Sequence, residues 1–265
     1  MISKYVAFDL EIAQELPDGC NDITPYRPLG ITCAAAAVHT NGKEEVYSFY
    51  PDIGDDGAYE PRMSVEKCRD MFDMLGLWQG GGYDIVTWNG LGFDFDVLAE
   101  EVQCRAYADE SLCDVVKDRM FAEAVAKMAM NSVDPAFVML CAKGYMIGLN
   151  TAAKGLGVEG KTEGMHGDLA PIMWKQGREE QEKTIAYVMQ DAVATSNVYR
   201  AMVELGGVRW ISRSGRLNKW YHSSRDYSVG IGLKIPEPDT SWMSEPRTRK
   251  SVYDWTQKYL SKGDL

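Results

Sequence analysis

Apolar and polar positions change period several times along this 265-residue chain, and each change marks an element. Tyr5, Val6, Ala7 and Phe8 form a short apolar run that reads as a buried strand ending in acid, Asp9-Leu10-Glu11. A loop rich in Pro, Asp and Gly continues to Pro28. Residues 29–38 are the next apolar run, and Asn41-Gly42 behind them suits a tight hairpin into a further strand over 45–50. Three antiparallel strands in succession are therefore expected. The period then lengthens: Val65, Cys68, Met71, Phe72 and Leu75 recur at helical spacing behind Ser64, a good N-cap, and Gly80-Gly81-Gly82 closes the helix. Residues 84–88 read as a short strand centred on Ile85-Val86. Residues 93–102, 111–130 and 152–156 read as helical. Residues 178–205 read as one long helix whose apolar stripe is Ile185, Val188, Met189, Ala192, Val193 and Val198. Strands first, then helix, strand and helices imply an α/β fold, a mixed β-sheet flanked by helices.

Composition narrows the class. With 45% hydrophobic and 25% charged residues and no solenoid-length repeat, the chain has the balance of a folded domain. Its net charge of −11 argues against holding nucleic acid by bulk charge. The charge is uneven: residues 207–265 carry 11 basic and 6 acidic side chains, against 17 and 33 in residues 1–206. Two segments are expected, a body over 1–206 and a basic, aromatic C-terminal extension over 207–265. In the extension Arg209, Arg213, Arg216, Lys219 and Arg225 alternate with Trp210, Trp220, Tyr221 and Tyr227. Such a mixture can neutralise phosphates and stack on bases, or its rings can pack on the body or in an oligomer interface. The six cysteines, Cys20, Cys33, Cys68, Cys104, Cys113 and Cys141, form no C-x-x-C pair, which suits free thiols in the cytoplasm. No apolar run reaches the ~20 residues of a membrane span, so no membrane partner is expected; a protein partner is not indicated.

Three acidic segments carry the candidate chemistry. Asp9 and Glu11 lie two apart at a strand end, where period-2 geometry puts both carboxylates on one side, close enough to share a hard cation. Asn89-Gly90-Leu91-Gly92-Phe93-Asp94 comes after the fourth strand, at the entrance to a helix. Tyr187 and Asp191 lie four apart on the long helix, a phenol beside a carboxylate.

In this order the segments resemble the DEDD-type 3′-5′ exonucleases of the ribonuclease H-like fold, in the tyrosine-containing DEDDy subgroup, and most of all polymerase proofreading exonuclease domains. D-x-E is matched by Asp9 and Glu11, N-x-x-x-F-D by Asn89, Phe93 and Asp94 with apolar Leu98 four positions on, and Y-x-x-x-D by Tyr187 and Asp191. Ile12 stands where the family often has Thr. The resemblance implies two divalent cations, Mg²⁺ or Mn²⁺, ~3.5–4 Å apart, clamping the attacking and leaving oxygens of a phosphoryl displacement. It implies that Asp9 bridges both ions, that Glu11 and Asp191 hold the hydrolytic one, that Asp94 acts largely through water and that Tyr187 orients the attacking water. The implied partner is single-stranded or frayed DNA or RNA with a free 3′ end, cut to 5′-mononucleotides. The rival expectation is a catalytically inactive nuclease-like nucleic-acid-binding module. Candidate substrate contacts are Leu10, Ile12, Asn89, Phe93 and Lys161.

Residues 155–162 satisfy G-x-x-x-x-G-K-T as text, but no buried strand precedes them, and Gly164, Gly167 and Pro171 interrupt the segment where a P-loop helix would run, so a P-loop is not expected. Lys161 is instead expected near a substrate phosphate. His166 lies 25 residues before Asp191, off the position of the histidine in the sister subgroup, and reads as a loop residue. Trp88 and Trp174 read as core rather than stacking platforms, and Asp134 as a cap or solvated acid.

Overall fold

The computed structural model describes residues 4–17, 19–20, 22–103, 112–161, 167–212 and 214–261, with residues 112–118 described by their backbone alone. Thr162, Gly164, His166, Cys104 and Arg213, and the side chain of Cys113, lie outside the described residues. The elements in order are β1 (Lys4–Ile12), β2 (Ile31–Thr40), β3 (Lys43–Phe49), α1 (Val65–Gly80), β4 (Asp84–Val86), α2 (Asp94–Glu101), α3 (Leu112–Met130), α4 (Pro135–Lys143), α5 (Leu149–Leu156), α6 (Ala170–Trp174), α7 (Arg178–Leu205), β5 (Gly207–Ile211), β6 (Leu217–Tyr221), α8 (Val229–Lys234) and α9 (Lys250–Tyr253). β3, β2, β1 and β4 form one mixed sheet in that order, antiparallel except for the parallel pair β1/β4, while β5 and β6 form a separate hairpin.

Alternation along β1 divides the molecule into layers. Val6, Phe8, Leu10 and Ile12 enter a core with Leu75 of α1, Phe95 and Leu98 of α2 and Ala126 of α3. Ala7 points the other way, with Cys33, Ala35 and Ala37 of β2, onto Ile185, Val188 and Ala192 of α7. These small side chains let the long helix lie close to the sheet, and every alanine from Ala34 to Ala37 is fully buried. By the same period of two, Asp9 and Glu11 share the α7 face, opposite Ala35 and Cys33 of β2. The Asn41-Gly42 turn has positive φ at both residues, and Ser64 Oγ accepts from Lys67 N at 3.2 Å to cap α1.

The hydrophobic pattern predicts neither α4 nor the β5–β6 hairpin. Residues 135–141 of α4 are all buried, so the helix has no polar face and no period to read. α5 starts at Leu149, three residues before the expected turn, and β4 ends at Val86, two residues early. In the extension, Trp210, Trp220 and Tyr227 are buried with Val138, Leu149, Val198 and Met202, which is the packing alternative for those three rings; Tyr221 is exposed. Val229, Val252, Trp255 and Leu260 belong to the main core, and Trp255 Nε1 donates to Leu91 O at 2.7 Å. Cys20, Cys33, Cys68 and Cys141 are unbridged, and among the described residues no helix is long and apolar enough to cross a membrane.

Candidate metal centre and cleft

β4 covers β1 only from Tyr5 to Ala7, so β1 has no parallel neighbour from Phe8 to Ile12. There the N–H of Leu10 donates to Asp94 Oδ1 at 3.1 Å, tying the start of α2 to the strand that carries Asp9 and Glu11. Across the other face, α7 brings Asp191 in. One carboxylate oxygen each from Asp9, Glu11 and Asp191 lie within 4.8 Å of one another. Asp94 stands one step outside this trio, yet it is the neighbouring charge that acts most strongly on Asp9.

Glu11 is 5% exposed, Asp94 6% and Asp191 not at all; Asp9 is half-buried. Burial is the largest influence on each and pushes all four carboxyl groups above their ordinary range, Asp94 to about 7. Mutual repulsion adds to this at Asp9 and Glu11, while the Leu10 N–H opposes it at Asp94. Among the described residues one cation is paired with them. The Lys161 ammonium forms an ion pair with Asp191 Oδ2 and donates to the Tyr187 hydroxyl at 3.3 Å. Burial works against its charge, but Asp9 and Asp191 outweigh burial and raise its pKa. Tyr187, 2% exposed, stands one turn before Asp191 on the same helix, and burial first, then the charge of that carboxylate, holds the phenol protonated.

The residues fit a divalent cation centre. Four oxygen-donor carboxylates suit hard ions, a single lysine cannot neutralise them, and Asp191 Oδ1 is buried with no hydrogen-bond partner among the described residues. A bare acceptor beside two other carboxylates is a costly arrangement unless a cation takes it up.

The centre opens into a cleft of about 340 Å³ lined by Asp9, Trp88, Asn89, Met146, Ile147 and Lys161 among others. Trp88, half-buried, fixes one wall by donating from Nε1 to Ile147 O at 2.9 Å. Asn89 sits at φ 68°, a left-handed conformation that asparagine tolerates, and begins the Gly90–Gly92 turn into α2. Asp134 holds that turn: its carboxylate accepts from the N–H of Asn89 at 3.0 Å and Leu91 at 3.1 Å as well as capping α4 through Phe137 N. The expected cap is thus also the residue that holds the Asn89–Leu91 turn leading into α2. A larger hollow of about 670 Å³ lies between the 54–62 loop and α6, and none of the four carboxylates lines it.

Of the candidate substrate contacts, Asn89 and Lys161 line the cleft. Phe93 is half-buried against the main core, and the Leu10 and Ile12 side chains lie in that core, on the face of β1 away from the carboxylates. Trp174 is core, its Nε1 donating to Glu60 O. The G-x-x-x-x-G-K-T text has a packing origin. It begins in the last two residues of α5, Gly155 lies so close to β5 that a Cβ there would overlap the Arg209 carbonyl, and Gly157 ends α5 at φ 73°.

Residues 37–212 match a family model described as a predicted 3′-5′ exonuclease related to the exonuclease domain of PolB. The matched stretch contains Asn89, Asp94, Lys161, Tyr187 and Asp191 and begins after Asp9 and Glu11. No curated protein matches the chain.

Proposed function

We propose, on the footing that the chain belongs to this family of predicted 3′-5′ exonucleases related to the exonuclease domain of PolB, that it is a metal-dependent exonuclease of the tyrosine-containing DEDD subgroup, formed by residues 1–206 with the 207–265 extension packed on them. Its substrate is single-stranded or frayed DNA or RNA, degraded from the 3′ end to 5′-mononucleotides. The observation that carries the reading is the meeting of the Asp9, Glu11 and Asp191 carboxylates within 4.8 Å beside a cleft, with one Asp191 oxygen left bare.

In this reading Asp9, with Glu11 and Asp191, would hold two Mg²⁺ or Mn²⁺ ions, Asp9 serving both and Glu11 and Asp191 the hydrolytic one, and Asp94 would contribute through water. The ions, when bound, neutralise the carboxylates, promote ionisation of water and offset the charge that develops on the phosphodiester. Tyr187 orients the attacking water with its hydroxyl. Lys161, relieved of Asp191 when that carboxylate is otherwise neutralised, is free to meet a substrate phosphate across the cleft. Asn89 and Trp88 shape the wall against which the terminal nucleotide rests.

The test is degradation of 5′-labelled DNA and RNA oligonucleotides, with free and blocked 3′ ends, in Mg²⁺, Mn²⁺ or chelator. Stepwise shortening from free 3′ ends that needs a cation and is lost in Asp9→Asn supports the proposal. Binding without hydrolysis in every condition would instead make the protein a nuclease-like binding module, and wild-type rates in Asp9→Asn would remove the metal assignment.

A further inference from the structure

The C-terminal extension returns to the cleft at Arg247. Its guanidinium Nη1 donates to Asn89 Oδ1 at 3.4 Å and lies 3.8 Å from the sulfur of Met146, and both of those residues line the cleft that Asp9 and Lys161 share. Room for it is made by Gly92, where a Cβ would stand only 3.0 Å from Arg247 Nη2 and 2.9 Å from Val252 Cγ1.

Neighbouring cations of the extension are spoken for. Lys250 pairs with Asp254 at 2.8 Å, and Arg249 donates to the carbonyls of Ile235 at 2.7 Å and Cys141 at 3.3 Å. Arg247 has a neutral amide oxygen and a thioether, both weak partners for a guanidinium, and no carboxylate within ion-pair distance among the described residues. The acid whose field reaches it, Asp134, already accepts three backbone N–H bonds. A guanidinium presents a planar fork that matches two phosphate oxygens. In a chain of net charge −11 this one is held at the rim of the cleft without an anion of its own.

We infer that Arg247 binds a phosphodiester of the nucleic-acid strand, one or more nucleotides away from the bond that is cut, and so holds the strand in register with the carboxylate centre. The inference rests on the exonuclease reading and adds a positioning residue from the extension. The scissile phosphate belongs beside Asp9, and Asn89 and Met146, which Arg247 touches, line the same cleft, so a strand that reaches the centre along this cleft carries its next phosphates past Arg247.

The experiment compares a single-stranded octanucleotide with a dinucleotide, which contains only the scissile phosphodiester. Arg247→Ala and Arg247→Gln should lower kcat/KM on the octanucleotide by about 10- to 100-fold, the size of a lost charge-assisted hydrogen bond. Both should leave the dinucleotide rate within about two-fold of wild type. The slope of log affinity against log salt, measured by fluorescence anisotropy in chelator, should fall by ~0.7, and Arg247→Lys should restore the slope while recovering only part of kcat/KM. Variants that match wild type on the octanucleotide overturn the assignment while leaving the exonuclease reading intact. Equal losses on both substrates, or a lowered melting temperature that Arg247→Lys does not repair, overturn it as well by making the residue structural. Wild-type protein that neither cleaves nor binds either oligonucleotide overturns both readings together.

Discussion

Tyr187 and Asp191 occupy successive turns of one helix, which is why a phenol can sit 2% exposed against a carboxylate that has no exposure at all. The hydroxyl accepts from Lys161 at 3.3 Å, and burial keeps it protonated, so it remains a donor throughout the neutral range. A phenol that keeps its proton suits placing a water molecule rather than ligating a cation. Tyr187→Phe is therefore expected to lower turnover by about 10- to 1,000-fold, or roughly 1.4–4 kcal/mol of transition-state stabilisation. It should leave the rise in melting temperature on adding Mn²⁺ unchanged. Turnover and thermal scans on the same preparation check both halves; loss of the metal-induced shift would place the phenol in the ligand sphere instead.

Between elements, the decisive feature is the alanine run of β2. Asp9 pairs in register with Ala35, and Ala35 and Ala37 lie under Val188 and Ala192 of α7. The distance between the carboxylates of β1 and Asp191 of α7 is thus set by side chains no larger than a methyl group. Ala35→Leu should push the helix outward, costing about 1–3 kcal/mol from overpacking and about 2–4 °C of melting temperature per kcal/mol. It should also shrink the metal-induced shift, because Asp191 moves with its helix. Titrating Mn²⁺ in thermal scans of Ala35→Leu and wild type measures this, and an unchanged metal response would show that the helix position is not what brings the carboxylates together. Much of this arrangement is legible in the sequence. Asp9 and Glu11 are two apart on a strand, and Tyr187 and Asp191 four apart on a helix, so each pair shares a face by local geometry alone. The hidden parts depend on contacts distant in sequence: the Lys161 ammonium against Asp191, the Asp134 carboxylate under the Asn89 turn, and Arg247 returning 158 residues later to Asn89. Leu10 and Ile12 show the converse, since the alternation that brings Asp9 and Glu11 together sends these two side chains into the opposite core. α4 escapes a sequence reading because complete burial erases the helical period on which its recognition depends.

At the scale of the whole molecule, stability and the carboxylate centre are linked through protons. All four carboxyl groups have raised pKa values in the fold, Asp94 at about 7, whereas in the unfolded chain they return to the ordinary range near ~4. Without metal, the folded protein therefore retains protons that the unfolded chain has released, and stability falls as pH rises from about 4 through about 7. Divalent cations bind only the deprotonated groups of the folded state, so their stabilisation runs the other way and grows over the same window. In chelator the melting temperature is expected to be higher at pH 5 than at pH 8, while saturating Mn²⁺ should raise it more at pH 8, by about 2.7 kcal/mol of added stability at a hundredfold excess over Kd. General repulsion in a chain of net charge −11 also grows with pH, but it is spread over the surface and is screened by simple salt. Sodium chloride at matched ionic strength separates the two. If it restores the pH 8 melting temperature as fully as Mn²⁺ does, the loss belongs to the surface; if only Mn²⁺ restores it, and Asp9→Asn abolishes that response, the loss belongs to the buried carboxylates at the end of β1.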